Sequence, residues 1–74
     1  VAGAHNRMGH IYAEGVGVDR NPIEAAKWRL IAKASGLADD KLDLLVAALP
    51  DADRVKAQQA ADTWRETRQV RAME

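Results

Sequence analysis

Two histidines and a nearby glutamate are the first candidates for a metal site in this 74-residue sequence. His5 and His10 are five positions apart, so a helix would point them to widely separated faces. His10 and Glu14 are four positions apart and could together hold a divalent cation on a helix surface. Since the sequence contains no cysteine, the other ligands would have to come from elsewhere. We therefore expect no metal site, a solvent-facing His10 and a Glu14 at a helix end.

An aspartate cluster and a glycine-rich loop are further features that could carry catalysis or ligand binding. The cluster consists of Asp39, Asp40 and Asp43. Paired catalytic carboxylates need burial to separate their pKa values, whereas these aspartates have the placement of exposed acids at a helix start. The loop at residues 15–17 precedes a helix, as anion-binding loops do, but it lacks the lysine of a P-loop and the preceding strand of a dinucleotide fold. We predict that the chain is not an enzyme and binds no cofactor.

Positive charge recurs every third residue near the C-terminus, at Arg65, Arg68 and Arg71. Such a stripe could bind nucleic acid, but arginines on an open helix face are ordinarily solvated and complement the helix dipole. The 11 basic and 11 acidic residues give a formal net charge of +0, which does not provide a strongly basic field. The sequence also has no apolar run long enough for a membrane span. We therefore expect neither nucleic acid nor a membrane as a partner.

The first predicted helix ends in a glycine loop. Its apolar stripe at helical spacing is formed by Ala4, Met8, Ile11 and Tyr12. Gly15 and Gly17 follow, and a chain that turns back sharply needs a positive φ or a close backbone approach at such positions. Val18 is the large apolar residue just before the next helix, so we expect it to fill the cleft between the two helices.

The second predicted helix has signals at both ends. Asn21 is a good N-cap, Pro22 suits the first helical position, and the Glu24 carboxylate can reach back to the Asn21 amide. Gly36 closes this helix. The apolar residues between these ends are Ala25, Ala26, Trp28, Leu30, Ile31 and Ala32. The two helices and their loop predict a helical hairpin.

Residues 4–36 resemble the Sel1-like repeat, a relative of the tetratricopeptide repeat with a longer loop between its helices. The residues that fall on the family pattern, in order, are Ala4, Met8, Gly9, Tyr12, Gly15, Gly17, Val18, Asn21, Ala25, Trp28, Ala32 and Gly36. Met8 replaces the usual leucine and Asn21 the usual aspartate, and both keep the physical role. Lys33 stands where a second alanine usually follows. The match covers a little under half of the chain and implies that Tyr12 and Trp28 lie in the hairpin core.

The second half of the chain predicts two more helices. A stripe for a third helix is formed by Leu42, Leu45, Val46 and Leu49. Pro50 breaks it, because the residue before a proline avoids the helical conformation, and Asp51 starts a long fourth helix. One face of that helix carries Ala57, Ala60, Ala61 and Trp64, while Val55 lies off this face. This half resembles the degenerate closing hairpin of many Sel1-like arrays, whose terminal unit needs a polar outer face.

The resemblance implies an all-α fold, an α-α superhelix (solenoid) of two helix hairpins with about four helices. We expect one structural domain, with a Sel1-like hairpin at residues 1–36 and a divergent capping helix pair at residues 37–74.

The function that the resemblance implies is that of a bacterial protein–protein interaction scaffold or adaptor, in the cytoplasm or the periplasm, in which this piece mainly caps the array. The alternative is a docking or regulatory appendage of an enzyme whose catalytic domain lies outside this chain. The candidate partner-binding surface, for another protein or peptide, is Asn6, Arg7, His10, Glu14, Lys41 and Leu45. We also expect weak self-association through the open N-terminal side, where Ala4, Met8 and Ile11 lie.

Overall fold

Four α-helices make up the chain. A computed structural model describes the backbone of residues 1–73 and the side chains of residues 1–69, so the side chain of Arg71 lies outside the described residues. The helices are α1 (Ala2–Glu14), α2 (Pro22–Ala34), α3 (Asp40–Ala48) and α4 (Asp51–Met73), and the described part of the chain contains no strand. The predicted all-α fold with about four helices is confirmed.

The turn between α1 and α2 forms as its residues predict. Gly15 has a φ of 74° and its N–H donates to the Ile11 carbonyl at 2.8 Å, while Gly17 also has a φ of 74°. Asn21 caps α2, because its side chain accepts a hydrogen bond from the Glu24 N–H at 3.1 Å. The predicted glycine turn and the Asn21 cap are confirmed, and they explain why the chain reverses within seven residues, 15–21. The predicted return contact from the Glu24 carboxylate to the Asn21 amide was wrong, because Glu24 Oε1 accepts from Lys27 Nζ and the Asn21 N–H donates to the Tyr12 carbonyl.

Val18 is placed differently from the prediction, with 41% of its surface exposed. The Asn21 N–H donates to the Tyr12 carbonyl at 2.9 Å, so backbone atoms join the loop directly to the end of α1. Val18 therefore stays on the exposed side of the loop and fills no cleft between the helices. The expectation that it would do so was wrong.

The α2–α3 and α3–α4 connections also follow from their sequences. Gly36 has a φ of 89° and its N–H donates to the Lys33 carbonyl at 2.8 Å, which ends α2 as predicted. Asp39 caps α3 by accepting from the Leu42 N–H at 3.0 Å. Leu49, the residue before Pro50, is extended with a ψ of 145°, and α4 starts immediately afterwards.

Contacts between the helices centre on α2, which packs against each of the other three. The buried apolar core consists of Ala25, Ala26, Ile31, Ala32, Leu42, Ala57 and Ala61. Its many alanines allow close helix approach. Gly9 has the least space for a side chain, because a Cβ there would lie 3.0 Å from Leu42 Cδ1 and 3.3 Å from the Ala25 carbonyl oxygen. α1 therefore meets both α2 and α3 at Gly9.

The predicted faces of α3 and α4 are confirmed in outline. Leu42 is buried in α3, Ala57 and Ala61 are buried in α4, and Trp64 is half-buried beside them. Val55 is exposed, as expected for a residue off the packing face. α4 therefore contributes small side chains to the core and turns the rest of its surface outward.

Candidate functional site

Arg29 of α2 is buried, with only 1% of its surface exposed, and it organises a polar network on one side of that helix. Its Nε donates to Asp43 Oδ1 at 2.7 Å, and its Nη1 donates to Asn6 Oδ1 at 2.8 Å. Its Nη2 donates to the Leu37 carbonyl at 2.8 Å. The guanidinium therefore joins α1, α2, the α2–α3 loop and α3, with all three of its nitrogens bonded.

Asp39 extends this network to His10. Its Oδ2 accepts from Asn6 Nδ2 at 2.7 Å and lies 2.6 Å from His10 Nε2. Its Oδ1 accepts from the Leu42 N–H at the start of α3. This backbone hydrogen bond is the largest cause that lowers the pKa of Asp39 to about 2, and Asn6 and His10 add to it against the opposing effect of burial.

We call these residues the Arg29 network: Asn6, His10, Arg29, Leu37, Asp39 and Asp43. The Arg29 hydrogen bonds also lower the pKa of the Asp43 carboxyl. Because hydrogen-bond donors already contact both carboxylates, the network is suited to stabilising the fold.

The network corrects several sequence-based expectations. Asn6 was expected to face outward with His10, but it is buried, with 8% of its surface exposed. His10 remains partly exposed, yet its ring contacts Asp39 and does not face solvent alone. Asp39 and Asp43 were expected to be exposed helix-start acids, and both are instead half-buried and hydrogen-bonded. For Asn6 and Asp43 the cause is Arg29, whose burial requires acceptors from neighbouring segments. Asp39 is held instead by its cap on α3 and by Asn6.

Sequence reasoning missed Arg29 itself. The signal available was its position: it follows Ala25 by four residues and precedes Ala32 by three, so it lies on the same helical stripe as two small core residues. A charged residue within such a stripe must be paired when it is buried, which makes the polar residues of α1 and the aspartates after α2 its possible partners.

Another side of α2 carries an aromatic cluster of His5, Trp28 and Trp64. The His5 and Trp28 rings stack with centroids 5.5 Å apart, and Trp64 meets them edge-on at 4.9 Å and 5.9 Å. Cations cover both indoles, with Lys27 Nζ 4.4 Å from the Trp28 ring and Arg68 Cζ 5.2 Å from the Trp64 ring. The pKa of His5 is lowered, first by burial and then by the N-terminal ammonium and Arg68.

An open groove runs along α1 beside this cluster and has a volume of about 590 Å³. We call it the α1 groove, and its lining residues are Gly3, Ala4, His5, Arg7, Met8, Ile11 and Trp28. Its surface is mostly apolar. Tyr12 and Trp28 were both expected in the hairpin core, and both are half-buried, with Trp28 reaching from the core to the groove.

A smaller recess of about 390 Å³ lies on the other side of His5, which lines both. We call it the basic recess, because Arg65 and Arg68 of α4 line it together with Trp64. The C-terminal end of α2 supplies Ser35 to its wall. The recess thus joins an aromatic floor to two guanidinium groups.

The structure distributes the predicted partner-binding residues over different regions. Arg7 is exposed and lines the α1 groove, whereas Asn6 and His10 belong to the Arg29 network. Glu14 and Lys41 are exposed, and Leu45 is half-buried.

Comparisons with known proteins add no relative: no family model matches the chain, and no significant match was found among curated proteins or solved structures. The resemblance to Sel1-like repeats therefore rests on the residue pattern alone. Within the described residues, no group of three or more potential ligands could hold a metal ion. None of the described helices combines the length and apolarity needed to cross a membrane.

Proposed function

We propose that the chain is a helical protein-binding module and the closing unit of an array of Sel1-like repeats in a scaffold or adaptor. The observation that carries this proposal is the α1 groove, where Met8, Ile11 and Trp28 present a continuous apolar surface at the side of the bundle. Open apolar grooves of this kind are characteristic of sites that bind other proteins.

The outer face of α4 supports the closing role. The exposed residues of α4 include Gln58, Gln59, Thr63 and Glu66, although Val55 is exposed as well. A terminal unit of a helical array needs a largely polar outer surface, because no further unit covers it. The outer face of α4 therefore fits the exposed surface of a closing unit.

The mechanism is the docking of a partner helix along α1. Apolar side chains of the partner enter the groove, where the Trp28 ring offers a rigid contact and the flexible Met8 side chain adapts to their shape. The Arg29 network lies behind Trp28 and holds α1 on α2, so the groove walls are in place before binding. Such preorganisation reduces the entropy lost on association.

NMR titration of the isotope-labelled chain with a synthetic amphipathic helix tests this function. The peptide carries an apolar stripe and uncharged polar residues elsewhere. We expect chemical-shift changes at Met8, Ile11 and the Trp28 indole, and none at Leu44 or Val55. Met8→Glu should weaken binding about tenfold or more, equivalent to at least ~1.4 kcal/mol, while the matched control Val55→Glu should leave it unchanged. Shifts confined to Leu44 and Val55, or none at millimolar peptide, would contradict the proposal.

A further inference from the structure

We propose that the α1 groove and the basic recess form one docking site for a partner-protein helix whose apolar stripe ends in acidic residues. This inference rests on the proposed function and specifies the partner. Its first support is continuity: His5 lines both depressions, and its ring contacts both Trp28 in the groove and Trp64 in the recess. A ligand lying along α1 can therefore contact the Trp28, His5 and Trp64 rings in succession.

The dimensions suit a short helix. From Ile11 to His5, α1 advances six residues, which is about 9 Å at 1.5 Å per residue. A partner helix laid along α1 covers that distance in about two turns. Apolar side chains at one-turn spacing would occupy the groove, and the next turn would reach the recess with Arg65 and Arg68.

The charges around the site favour an acidic end. Arg7 lines the apolar part, and Arg65 and Arg68 line the recess. Asp62 Oδ1 accepts from Arg65 Nη2 at 2.7 Å, so the Arg65 charge is partly balanced. Arg68 instead lies over the Trp64 ring, which supports its guanidinium and removes water from one side of it.

A carboxylate that enters the recess can accept charge-assisted hydrogen bonds from these guanidinium groups, whose planar donors fit carboxylate oxygens. A basic residue at the same place would be repelled by them. The recess therefore selects the sign of the charge at the end of the docked helix, while the groove supplies apolar contact that does not depend on charge.

Two fluorescent peptides that differ only at their end provide the test. Both carry the same two-turn apolar stripe, followed by three glutamates in one peptide and three lysines in the other. Fluorescence anisotropy with the intact chain should give about tenfold tighter binding of the glutamate peptide at low salt, and a smaller ratio at about 0.3 M salt because of screening.

Three variants locate the effect. Arg68→Glu should abolish the preference for the glutamate peptide or reverse it. Arg54→Glu changes the same residue type in the same helix, but outside the recess, and should preserve the preference. Met8→Glu should weaken both peptides, since it alters the apolar groove that they share.

The outcomes separate this inference from the proposed function. Equal binding of the two peptides, or a preference unchanged in Arg68→Glu, would overturn the acidic-helix inference and leave groove binding intact. Binding of neither peptide would overturn both. Dimerisation of the chain that excludes the peptides would show that a second copy occupies the groove and would also overturn the inference.

Discussion

Trp28 and Arg29 are consecutive residues of α2 that belong to two contrasting regions of the molecule. Arg29 lies in a closed polar network with hydrogen bonds to three other segments, and 1% of its surface is exposed. Trp28 lies in the aromatic cluster and borders an open apolar groove. The charged residue is thus the more buried of the two, which reverses the usual preference of these side chains.

This reversal indicates what each region does. A buried guanidinium is stable only when it is paired, so the Arg29 network holds α1, α2 and α3 in one arrangement. Covering open apolar surface with a partner, in contrast, is favourable because it removes that surface from water. The network therefore maintains the scaffold, and the groove is the surface that we propose for association. Substitutions on the two sides of α2 should have correspondingly different effects.

Arg29→Ala should have the largest effect on stability, because it leaves Asp43, Asn6 and the Leu37 carbonyl without their donor. We expect a loss of about 3–5 kcal/mol in the free energy of unfolding, which is much of what a domain of this size has. Chemical denaturation followed by circular dichroism measures it. Arg54→Ala, which removes a surface pair with Asp51, is the control and should cost at most about 1 kcal/mol. Similar curves for the two variants would refute a special role for Arg29.

Trp28→Ala should lower the free energy of unfolding by less, about 2–3 kcal/mol. The ring is half-buried, so its removal should cost less than that of a fully buried tryptophan. Unlike Arg29→Ala, it should also remove much of the groove's affinity for an apolar helix in the folded fraction. Thermal melts and peptide titration of the same variant separate the two effects. A variant that melts like the parent and binds peptide normally would show that Trp28 contributes to neither region.

Acidification should weaken the Arg29 network through Asp39. The pKa of Asp39 is lowered to about 2, so its contribution is fully present above its ordinary pKa near 4 and is lost as the pH falls toward 2. We expect a loss of about 2 kcal/mol over this interval. The comparison is with Asp39→Asn, whose stability should be lower than the parent's at neutral pH and nearly equal to it at pH 2. Parallel pH profiles for the two proteins would contradict this linkage, since Asp43 and Asp62 titrate in both.

Two glycines of α1 make a matched test of close packing. A Cβ at Gly9 would press on Leu42 and the Ala25 carbonyl, so Gly9→Ala should cost about 1–2 kcal/mol. Gly3 lines the groove and has open space around it, so Gly3→Ala should stabilise the helix by about 0.5 kcal/mol. Thermal unfolding of both variants shows whether each substitution stabilises or destabilises the chain. If both substitutions changed the stability in the same direction, the two sides of α1 would not differ in packing as described.

Sequence reasoning predicts the helices well because their ends depend on neighbouring residues. Asn21 finds its hydrogen-bond partner three residues away, and Gly15 and Gly36 adopt the positive φ that their turns require. These interactions are local, so residue type and spacing are sufficient to place them.

The Arg29 network was not predicted because its partners are distant in sequence. Asn6 lies 23 residues from Arg29, and Asn6 and Asp39 are separated by 33 residues. Only the packing of α1 and α3 on α2 brings them together. The same packing decides which apolar residues remain open, so the open side at Met8 and Ile11 could be anticipated, but the contribution of Trp28 to the groove could not.

The weakest effect that we predict is self-association of the isolated chain through the open side. Met8 and Ile11 can be covered by a second copy, but the groove has seven lining residues, whereas stable interfaces involve about 20–30 residues on each side. We therefore expect a dissociation constant of about 1 mM, equivalent to ~4 kcal/mol. Sedimentation equilibrium over a wide concentration range measures it.

Two variants assign that association to a surface. Met8→Glu places a charge in the groove and should leave the chain monomeric at every concentration, whereas Val55→Glu on α4 should associate like the parent. Loss of association in Val55→Glu alone would identify α4 as the contact and remove the support for its capping role. A parent chain that stays monomeric throughout would mean that covering the groove with a second copy releases too little free energy to offset the entropy of association. The Arg29 network and the α1 groove would then still differ in burial and in their effects on stability, but the groove would not mediate self-association.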